Sequence, residues 1–445
     1  MIKNDTIVAL SSGNLPSGIA IIRISGPKVE FLLNKLTGSG LKPKLIELRN
    51  IIHNDTILDR GLVTYFAAPN SFTGENVCEL HLHGSVALVK AVLDACCSYE
   101  GIRLAKAGEF TNRAFINGKL DLVEVEGISD LLAAETETQR VQAFARMSGD
   151  LSNKINSFRR HLLSLRSILE AQLDFSDESD VDDGLPDFFK ADLDKLIEQL
   201  SKQLDGATQG RIIRSGFRVA LAGKPNAGKS SLINALSKSD LAIVSHEEGT
   251  TRDVREVPMD IDGQFVIFID MAGLRYTSSD SEAQGVKRAE EEILKADLVL
   301  WLYSPEVAET ELPAKTSHLK DMNLDNDKVL KIGTKCDLGT ALPGVDMSIS
   351  SKNNIGIDKL LELIKSRIHS SSEINPSEVL LSRARDIEAI EIALQSINLA
   401  RANIDTPEIC AEYLRQASNS LERLLGIMNP EQILGEIFSN FCIGK

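Results

Sequence analysis

The spacing of apolar residues changes three times along the chain, and each change marks a different kind of structure. Through residues 1–118, short apolar runs such as Gly18-Ile19-Ala20-Ile21-Ile22-Arg23-Ile24 and Leu62-Val63-Thr64-Tyr65-Phe66 stand beside one helix-like run, Val86 to Cys97. That mixture predicts a small α+β domain. Over 119–215 the spacing lengthens to three and four, as in Leu151, Ile155, Phe158, Leu162, Leu165, Ile168 and Leu169. Such spacing lays one apolar stripe along a helix. Residues 216–371 alternate continuous apolar runs with helical ones, which predicts a doubly wound α/β sheet with its ligand at the C-terminal ends of the strands. Helical spacing returns over 372–445, through Ile387, Ile390, Leu394 and Ile397 and then Leu414, Leu421 and Leu424. The simplest layout is therefore an α/β domain inserted into one discontinuous helical bundle, with no short solenoid repeat.

The α/β segment begins with its most specific signal. Gly223-Lys224-Pro225-Asn226-Ala227-Gly228-Lys229-Ser230 follows the apolar run Phe217 to Ala222 and precedes the helical Ser231-Leu232-Ile233-Asn234-Ala235-Leu236. Strand, G-x-x-x-x-G-K-S and helix in that order make a phosphate-binding loop, in which backbone N–H groups from Ala227 to Ser231 face the phosphates. Lys229 reaches the terminal phosphates and the Ser230 hydroxyl binds magnesium. Further signals stand where a GTPase needs them. Gly249-Thr250-Thr251-Arg252-Asp253 offers a threonine hydroxyl to magnesium in a first switch. Asp270-Met271-Ala272-Gly273 ends the run Phe265 to Ile269, its carboxylate near magnesium and Gly273 near the γ-phosphate. Thr334-Lys335-Cys336-Asp337 follows Val329 to Gly333, and Asp337 can accept both guanine donors, which selects GTP over ATP. Ser350-Ser351-Lys352 closes the base pocket.

Two positions depart from the usual pattern. Thr334 stands where most GTPases carry asparagine, so the expectation is weaker base binding. Leu274 stands where Ras-type enzymes carry the glutamine that orients the attacking water. Leucine cannot do that, so another polar group and another source of positive charge are required. Asn226 can either cap the loop's turn or hold a monovalent cation against the phosphates.

Composition narrows the setting. The chain has 445 residues, 43% of them apolar, and a formal charge of −15. Three domains and ample core follow from the length. The acidic balance excludes the chain as an electrostatic clamp for nucleic acid on its own, since such binding needs lysine and arginine to neutralise phosphates. The N-terminal residues lack the blocks of a signal peptide and no apolar run reaches membrane-spanning length, so a cytoplasmic protein is expected. Six cysteines without C-x-x-C spacing read as free thiols. The acidic stretch Asp174 to Asp183 reads as a solvated loop.

Four stretches lie outside the nucleotide motifs and carry further signal: Gly18 to Gly26, Asn70-Ser71-Phe72-Thr73-Gly74-Glu75-Asn76-Val77-Cys78-Glu79-Leu80, Gly108 to Leu122, and the terminal Phe441-Cys442-Ile443-Gly444-Lys445. Through them the chain resembles the MnmE (TrmE) family of tRNA-modification GTPases over nearly its whole length, the last being similar to the family's C-x-G-K ending. The resemblance implies an α+β folate-binding N-terminal domain, a discontinuous helical domain and an inserted Ras-like P-loop GTPase domain. The activity it implies is addition of an aminomethyl-type or carboxymethylaminomethyl group at C5 of the wobble uridine of tRNA. A homodimer would work with MnmG, which uses FAD and NADH, in a heterotetramer-type complex. The one-carbon unit would come from a 5-formyl- or methylene-type tetrahydrofolate held by Arg23, Glu79, Lys119 and Lys445. The resemblance further implies potassium at Asn226, aided by Ser245, Glu247 and Thr250, in place of an arginine finger, and water positioning by Glu282, which answers the Leu274 problem. Cys442 reads as a thiol lining the site or as a nucleophile. The rival reading, a ribosome-assembly switch like Era or Der, expects a basic RNA-binding domain after the GTPase domain, and the C-terminal segment is helical and not strongly basic.

Overall fold

The computed structural model describes residues 5–38, 40–174, 185–239, 241–243, 255–270, 291–305, 326–339, 342–368, 375–428, 441 and 444. The chain forms two compact units, one of Met1–Ser129, Arg146–Ala191 and Gln395–Lys445, the other of Asp130–Ala145 and Asp192–Leu394.

The first unit opens with β1 (Thr6–Leu10), β2 (Ser17–Ser25), α1 (Val29–Thr37), β3 (Ile46–His53), β4 (Thr56–Phe66), β5 (Val77–Gly84), α2 (Val86–Cys97) and β6 (Ile102–Leu104). The strands form a six-stranded sheet in the order β3-β4-β5-β2-β1-β6. Alternation decides its faces. In β5, Cys78, Leu80 and Leu82 are buried while Glu79, His81 and His83 share the other face, as the sequence pattern predicts. Ile22, Ile24, Leu32, Val63, Leu80, Val89 and Val92 fill one core under the two helices. Sequence reasoning did not find β3, whose outward Ile46 and Leu48 obscure its alternation.

Helices α3 (Glu109–Ile116) and α4 (Leu122–Leu132) follow, then α5 (Glu137–Met147), α6 (Asp150–Asp174), α7 (Asp187–Asp205) and α8 (Ala207–Ser215). Asp121 and Glu124 begin α4 with a reciprocal capping box, each side chain accepting from the other's backbone N–H at 2.9 and 2.8 Å. Of the predicted stripe on α6, Leu151, Ile155, Phe158, Leu162, Leu165 and Leu169 are buried and Ile168 is half-buried.

The second unit holds β7 (Phe217–Ala222), α9 (Lys229–Leu236), β8 (Arg255–Ile261), β9 (Gln264–Asp270), β10 (Leu298–Tyr303), β11 (Val329–Gly333), β12 (Met347–Ser348) and α10 (Ile357–Ile368). Its sheet runs β12-β11-β10-β7-β9-β8. All neighbours are parallel except β8, which pairs antiparallel with β9 around the turn Asp262-Gly263. This is the expected doubly wound arrangement, and Val219, Leu221, Phe268, Leu300 and Ile332 lie in its core. The chain continues through α11 (Ala384–Ala402) to α12 (Pro407–Leu424), and within the first unit α6 packs on α12, where Arg159 meets Glu422 at 2.7 Å.

Candidate functional site

The nucleotide loop starts where β7 ends, at the C-terminal edge of the parallel strands. Gly223, Asn226 and Gly228 all adopt positive φ, at 137°, 62° and 95°. Those conformations turn successive N–H groups inward. At Gly223 a side chain is excluded outright, because a Cβ would lie 2.5 Å from the Leu302 carbonyl oxygen. Asn226 tolerates the left-handed region better than most residues. Ala227 is buried and anchors the loop to the core. Gly228 then caps α9, whose N-terminal N–H groups include those of Lys229, Ser230 and Ser231.

Lys229 is 9% exposed and curls over the loop, donating from Nζ to the Gly223 and Lys224 carbonyls at 2.6 and 2.9 Å. Beside it the Ser230 hydroxyl donates to Asp270 Oδ2 at 3.1 Å, joining the start of α9 to the end of β9. Serine hydroxyl and carboxylate are hard oxygen donors of the kind magnesium selects, and the phosphates would lie next to them. Among the described residues no group of three or more His, Cys, Asp or Glu side chains could hold a metal ion.

The base side is built on β11. Thr334, buried, directs its hydroxyl at the Ala227 carbonyl at 2.8 Å and the Tyr303 carbonyl at 2.9 Å, one proton serving two acceptors. Thr334 thus ties the end of β11 to the phosphate loop. Lys335 takes left-handed φ of 57° and leads into the short turn that carries Asp337. The buried Ser350 hydroxyl donates to Asp337 Oδ1 at 2.6 Å. That bond, with Lys352 and Lys335 nearby, holds the Asp337 carboxyl below its ordinary range, so it is an acceptor at neutral pH. Ser351 is half-buried and Lys352 exposed on the same turn.

On the N-terminal sheet Arg23 and Glu79 stand opposite one another on β2 and β5, with Arg23 Nε donating to Glu79 Oε1 at 2.9 Å. The guanidinium also faces the rings of Phe72 and Phe110, 5.5 and 5.8 Å from their centroids. Lys119 Nζ donates to the Pro69 carbonyl at 3.2 Å. Gly444 lies against the end of β1: its carbonyl accepts from Ser11 Oγ at 2.8 Å, and a Cβ there would fall 2.1 Å from the Leu10 oxygen. Phe72 and Ser11 were not singled out from sequence. Phe72 lies inside a motif that carried the resemblance, and an aromatic residue among polar neighbours was the available signal. Ser11 gave none, since only the fold brings it to the C-terminus.

Ser245, Glu247, Gly249, Thr250, Thr251, Gly273, Glu282, Cys442 and Lys445 lie outside the described residues, as do Met271, Leu274 and 175–184. Of the potassium set only Asn226 is therefore placed.

The loop after β7, the carboxylate ending β9 and the base-side carboxylate after β11 define this half of the molecule as a P-loop GTPase domain of Ras type. The chain as a whole belongs to the MnmE (TrmE) family. Residues 6–119 match the family described as the GTP-binding protein TrmE N-terminus and residues 122–442 match the MnmE helical domain. The chain is similar to the tRNA modification GTPase MnmE of Chelativorans sp., with 42% identity over 449 residues covering 99% of this chain and 98% of that one. It is 43% identical to the protein of the same name from Agrobacterium fabrum over 448 residues, 99% of each. Among solved structures, the G domain of the T. maritima FeoB protein aligns with 34% of this chain and 96% of its own at 28% identity, with a TM-score of 0.24. No helix among the described residues is long and apolar enough to cross a membrane.

Proposed function

We propose that the chain is a cytoplasmic, potassium-dependent GTPase that acts with MnmG on the wobble uridine of tRNA. In this reading it adds a (carboxymethyl)aminomethyl group at C5 with a one-carbon unit from a 5-formyl- or methylene-tetrahydrofolate. The observation that carries the nucleotide half is the set of hydrogen bonds that holds the motif residues in place: Lys229 over its loop, Ser230 to Asp270, Thr334 to Ala227, and Ser350 to Asp337.

In this reading Lys229 moves from the loop carbonyls to the β- and γ-phosphates, an exchange of neutral acceptors for charged ones that stabilises the bound state. Ser230 and Thr251 hold magnesium, with Asp270 behind Ser230. Gly249 and Gly273 follow the γ-phosphate from the two switches. Asp337 accepts the guanine donors while Ser350 keeps its carboxylate oriented, and Lys335, Ser351 and Lys352 border the base. Asn226 presents an oxygen to potassium together with Ser245, Glu247 and Thr250, and the cation supplies charge at the transferring phosphoryl group. Glu282 orients the attacking water. Paired G domains of a homodimer complete the cation site.

Arg23 and Glu79 present a donor and an acceptor side by side beneath Phe72, which suits the hydrogen-bonding edge and flat face of a pterin. Lys119 and Lys445 are suited by charge to the folate's carboxylates, and Cys442 is assigned the part of a lining thiol. MnmG would supply the FAD and NADH chemistry and most of the phosphate contacts to tRNA, since this chain carries a charge of −15.

The deciding experiment compares GTP turnover by the full-length protein in potassium and in sodium, with Asn226→Ala beside it. Stimulation by potassium that Asn226→Ala abolishes is expected. Equal rates in the two salts, with a silent Asn226→Ala, sink the cation mechanism. Nucleoside analysis of wobble uridines in cells lacking the gene tests the substrate, and the modified uridine should disappear.

A further inference from the structure

The first turn of α5 is built like a hub. Thr136 and Gln139 begin the helix with a capping box, the Gln139 Oε1 accepting from the Thr136 N–H at 3.1 Å. With that geometry fixed, the side chains of Thr138, Gln139 and Gln142 reach three different parts of the second unit. Thr138 Oγ1 donates to the Gly263 carbonyl at 2.5 Å, reinforced by the Thr138 N–H at 3.4 Å. Gln139 Nε2 donates to the Arg214 carbonyl at 3.1 Å. Gln142, 2% exposed, donates from Nε2 to the Val379 carbonyl at 2.7 Å and the Gly210 carbonyl at 3.3 Å. Gly210 and Arg214 lie on α8, by which the chain runs into β7, and Val379 lies on the segment by which it leaves α10 for α11.

Those two crossings are themselves closely joined. A Cβ on Gly210 would sit 2.1 Å from the Leu381 carbonyl oxygen, so the two backbones nearly touch. Asp130 Oδ1 accepts from Arg214 Nε at 3.1 Å and from Arg383 Nη2 at 2.7 Å, clamping both crossings with one carboxylate oxygen.

Gly263 is the other end of the connection. It forms the two-residue turn with Asp262, both at positive φ, that joins β8 to β9. Strand β9 is locked between β7 and β8, but β8 is the edge of the sheet. It is also the strand into which the first-switch motif Gly249 to Asp253 leads, and the residues before that motif are zipped to it, Ile243 N–H to the Pro258 carbonyl and Asp260 N–H to the Leu241 carbonyl. The described residue before that motif, Ile243, is thus bonded to the middle of β8, and Leu241 to the strand near its Asp262-Gly263 turn. At the turn β8 is held by Thr138 and, through Asp262, by Lys365 of α10.

We infer that Thr138 is a relay: its hydroxyl carries the nucleotide-dependent position of β8 to the two crossings that Gln139, Gln142 and Asp130 hold together. The relay rests on the GTPase reading above. None of its residues touches the nucleotide loop, so altering them separates signalling from binding.

Hydrogen–deuterium exchange on the full-length protein, with GDP and with a non-hydrolysable GTP analogue, reads the relay at peptides covering 207–216 and 375–383. In the parent protein and in Thr138→Ser, the analogue should change exchange at both crossings at least twofold relative to GDP. Thr138→Val, which removes the hydroxyl and keeps the shape, should cut that change to less than a third while analogue affinity stays within twofold. An undiminished change in Thr138→Val overturns the relay, and so does a parent protein that binds the analogue without any change at the crossings. A parent protein that does not bind the analogue at all would instead defeat the GTPase reading, and the relay with it. Should Thr138→Val lose its cooperative melt, Thr138→Ala, which also removes the hydroxyl, takes its place and is read by the same outcomes.

Discussion

The two candidate sites are made of different material. At the nucleotide loop the backbone does most of the binding, and its shape is dictated by residues that alone fit it: Gly223 against the Leu302 carbonyl, Asn226 and Gly228 in left-handed conformations. On the N-terminal sheet the strands β2 and β5 form an ordinary antiparallel ladder, and everything specific is carried by side chains from three separate segments: Arg23, Phe72 with Glu79, and Lys119. A backbone site is conspicuous in sequence and intolerant of change at its glycines. A side-chain site is inconspicuous in sequence, and each residue can be removed without disturbing the fold.

The largest test of that contrast is Lys229→Ala. Lysine removal takes away the ammonium that would leave the Gly223 and Lys224 carbonyls for the phosphates, and a loss of about 100-fold or more in GTP turnover is expected from the usual cost of deleting such a donor. The melting temperature should hardly move, because the loop's shape comes from its glycines. A variant that retained a tenth of the parent rate would show that the backbone alone suffices.

Glu79→Gln probes the other site. Replacing a carboxylate that accepts charge-assisted bonds with a neutral amide should weaken tetrahydrofolate binding about tenfold, with GTP turnover unaltered. Calorimetric titration of the folate and a turnover assay on the same sample check both halves. Equal loss in the two assays would mean that the sites are not separate.

What could be read in advance follows the same division. The order of strand, loop and helix around Lys229 is local, so the loop, Asp270 and Asp337 were legible from spacing alone. So was the helical stripe on α6. Thr334 was legible as a departure from the usual motif, but its bond to Ala227 was not, because it connects residues 107 apart in sequence. The Arg23–Glu79 pair depends on the register of β2 against β5, which no local pattern encodes, and it was found only through family resemblance. The hub at the start of α5 was invisible for the same reason: Gly263, bonded by Thr138, and Val379, bonded by Gln142, lie far along the chain.

Thr334→Val therefore sharpens the comparison from the nucleotide side, since it asks whether a side chain matters within a backbone site. One buried hydrogen bond to the loop is lost, worth about 1 kcal/mol, while the Tyr303 carbonyl keeps the Thr334 N–H at 2.7 Å. A rise of roughly fivefold in KM for GTP is expected, with kcat nearly constant and Thr334→Ser restoring the parent value. An unchanged KM would mean that the glycines hold the loop without help from β11.

The smallest effect concerns the scaffold under the N-terminal site. Arg103 bridges Asp5 at 2.7 Å and Glu109 at 2.5 Å, and Arg113, almost fully buried, reaches Asp5 at 2.8 Å and Glu75 at 3.0 Å. Burial pushes the Glu109 carboxyl up, but hydrogen bonds from Arg103 and the Lys106 N–H outweigh it and hold the group down to about 2. Asp5 is lowered in the same way, against its own burial, by Arg103 and Arg113. A carboxylate whose folded pKa lies below its unfolded one stabilises the fold fully above the unfolded value, near 4.5 for Glu109, and that contribution is lost as pH falls toward 2. The unfolding midpoint of the N-terminal unit should therefore be flat from pH 7 to about 5 and then decline, whereas Arg103→Met, already lacking the bridge, should start lower and decline less. Arg103 belongs to the first unit and the nucleotide loop to the second, so GTP turnover measured at neutral pH should be indifferent to Arg103→Met; parallel pH curves for the two proteins would show that the ion network contributes nothing to the side-chain site's support.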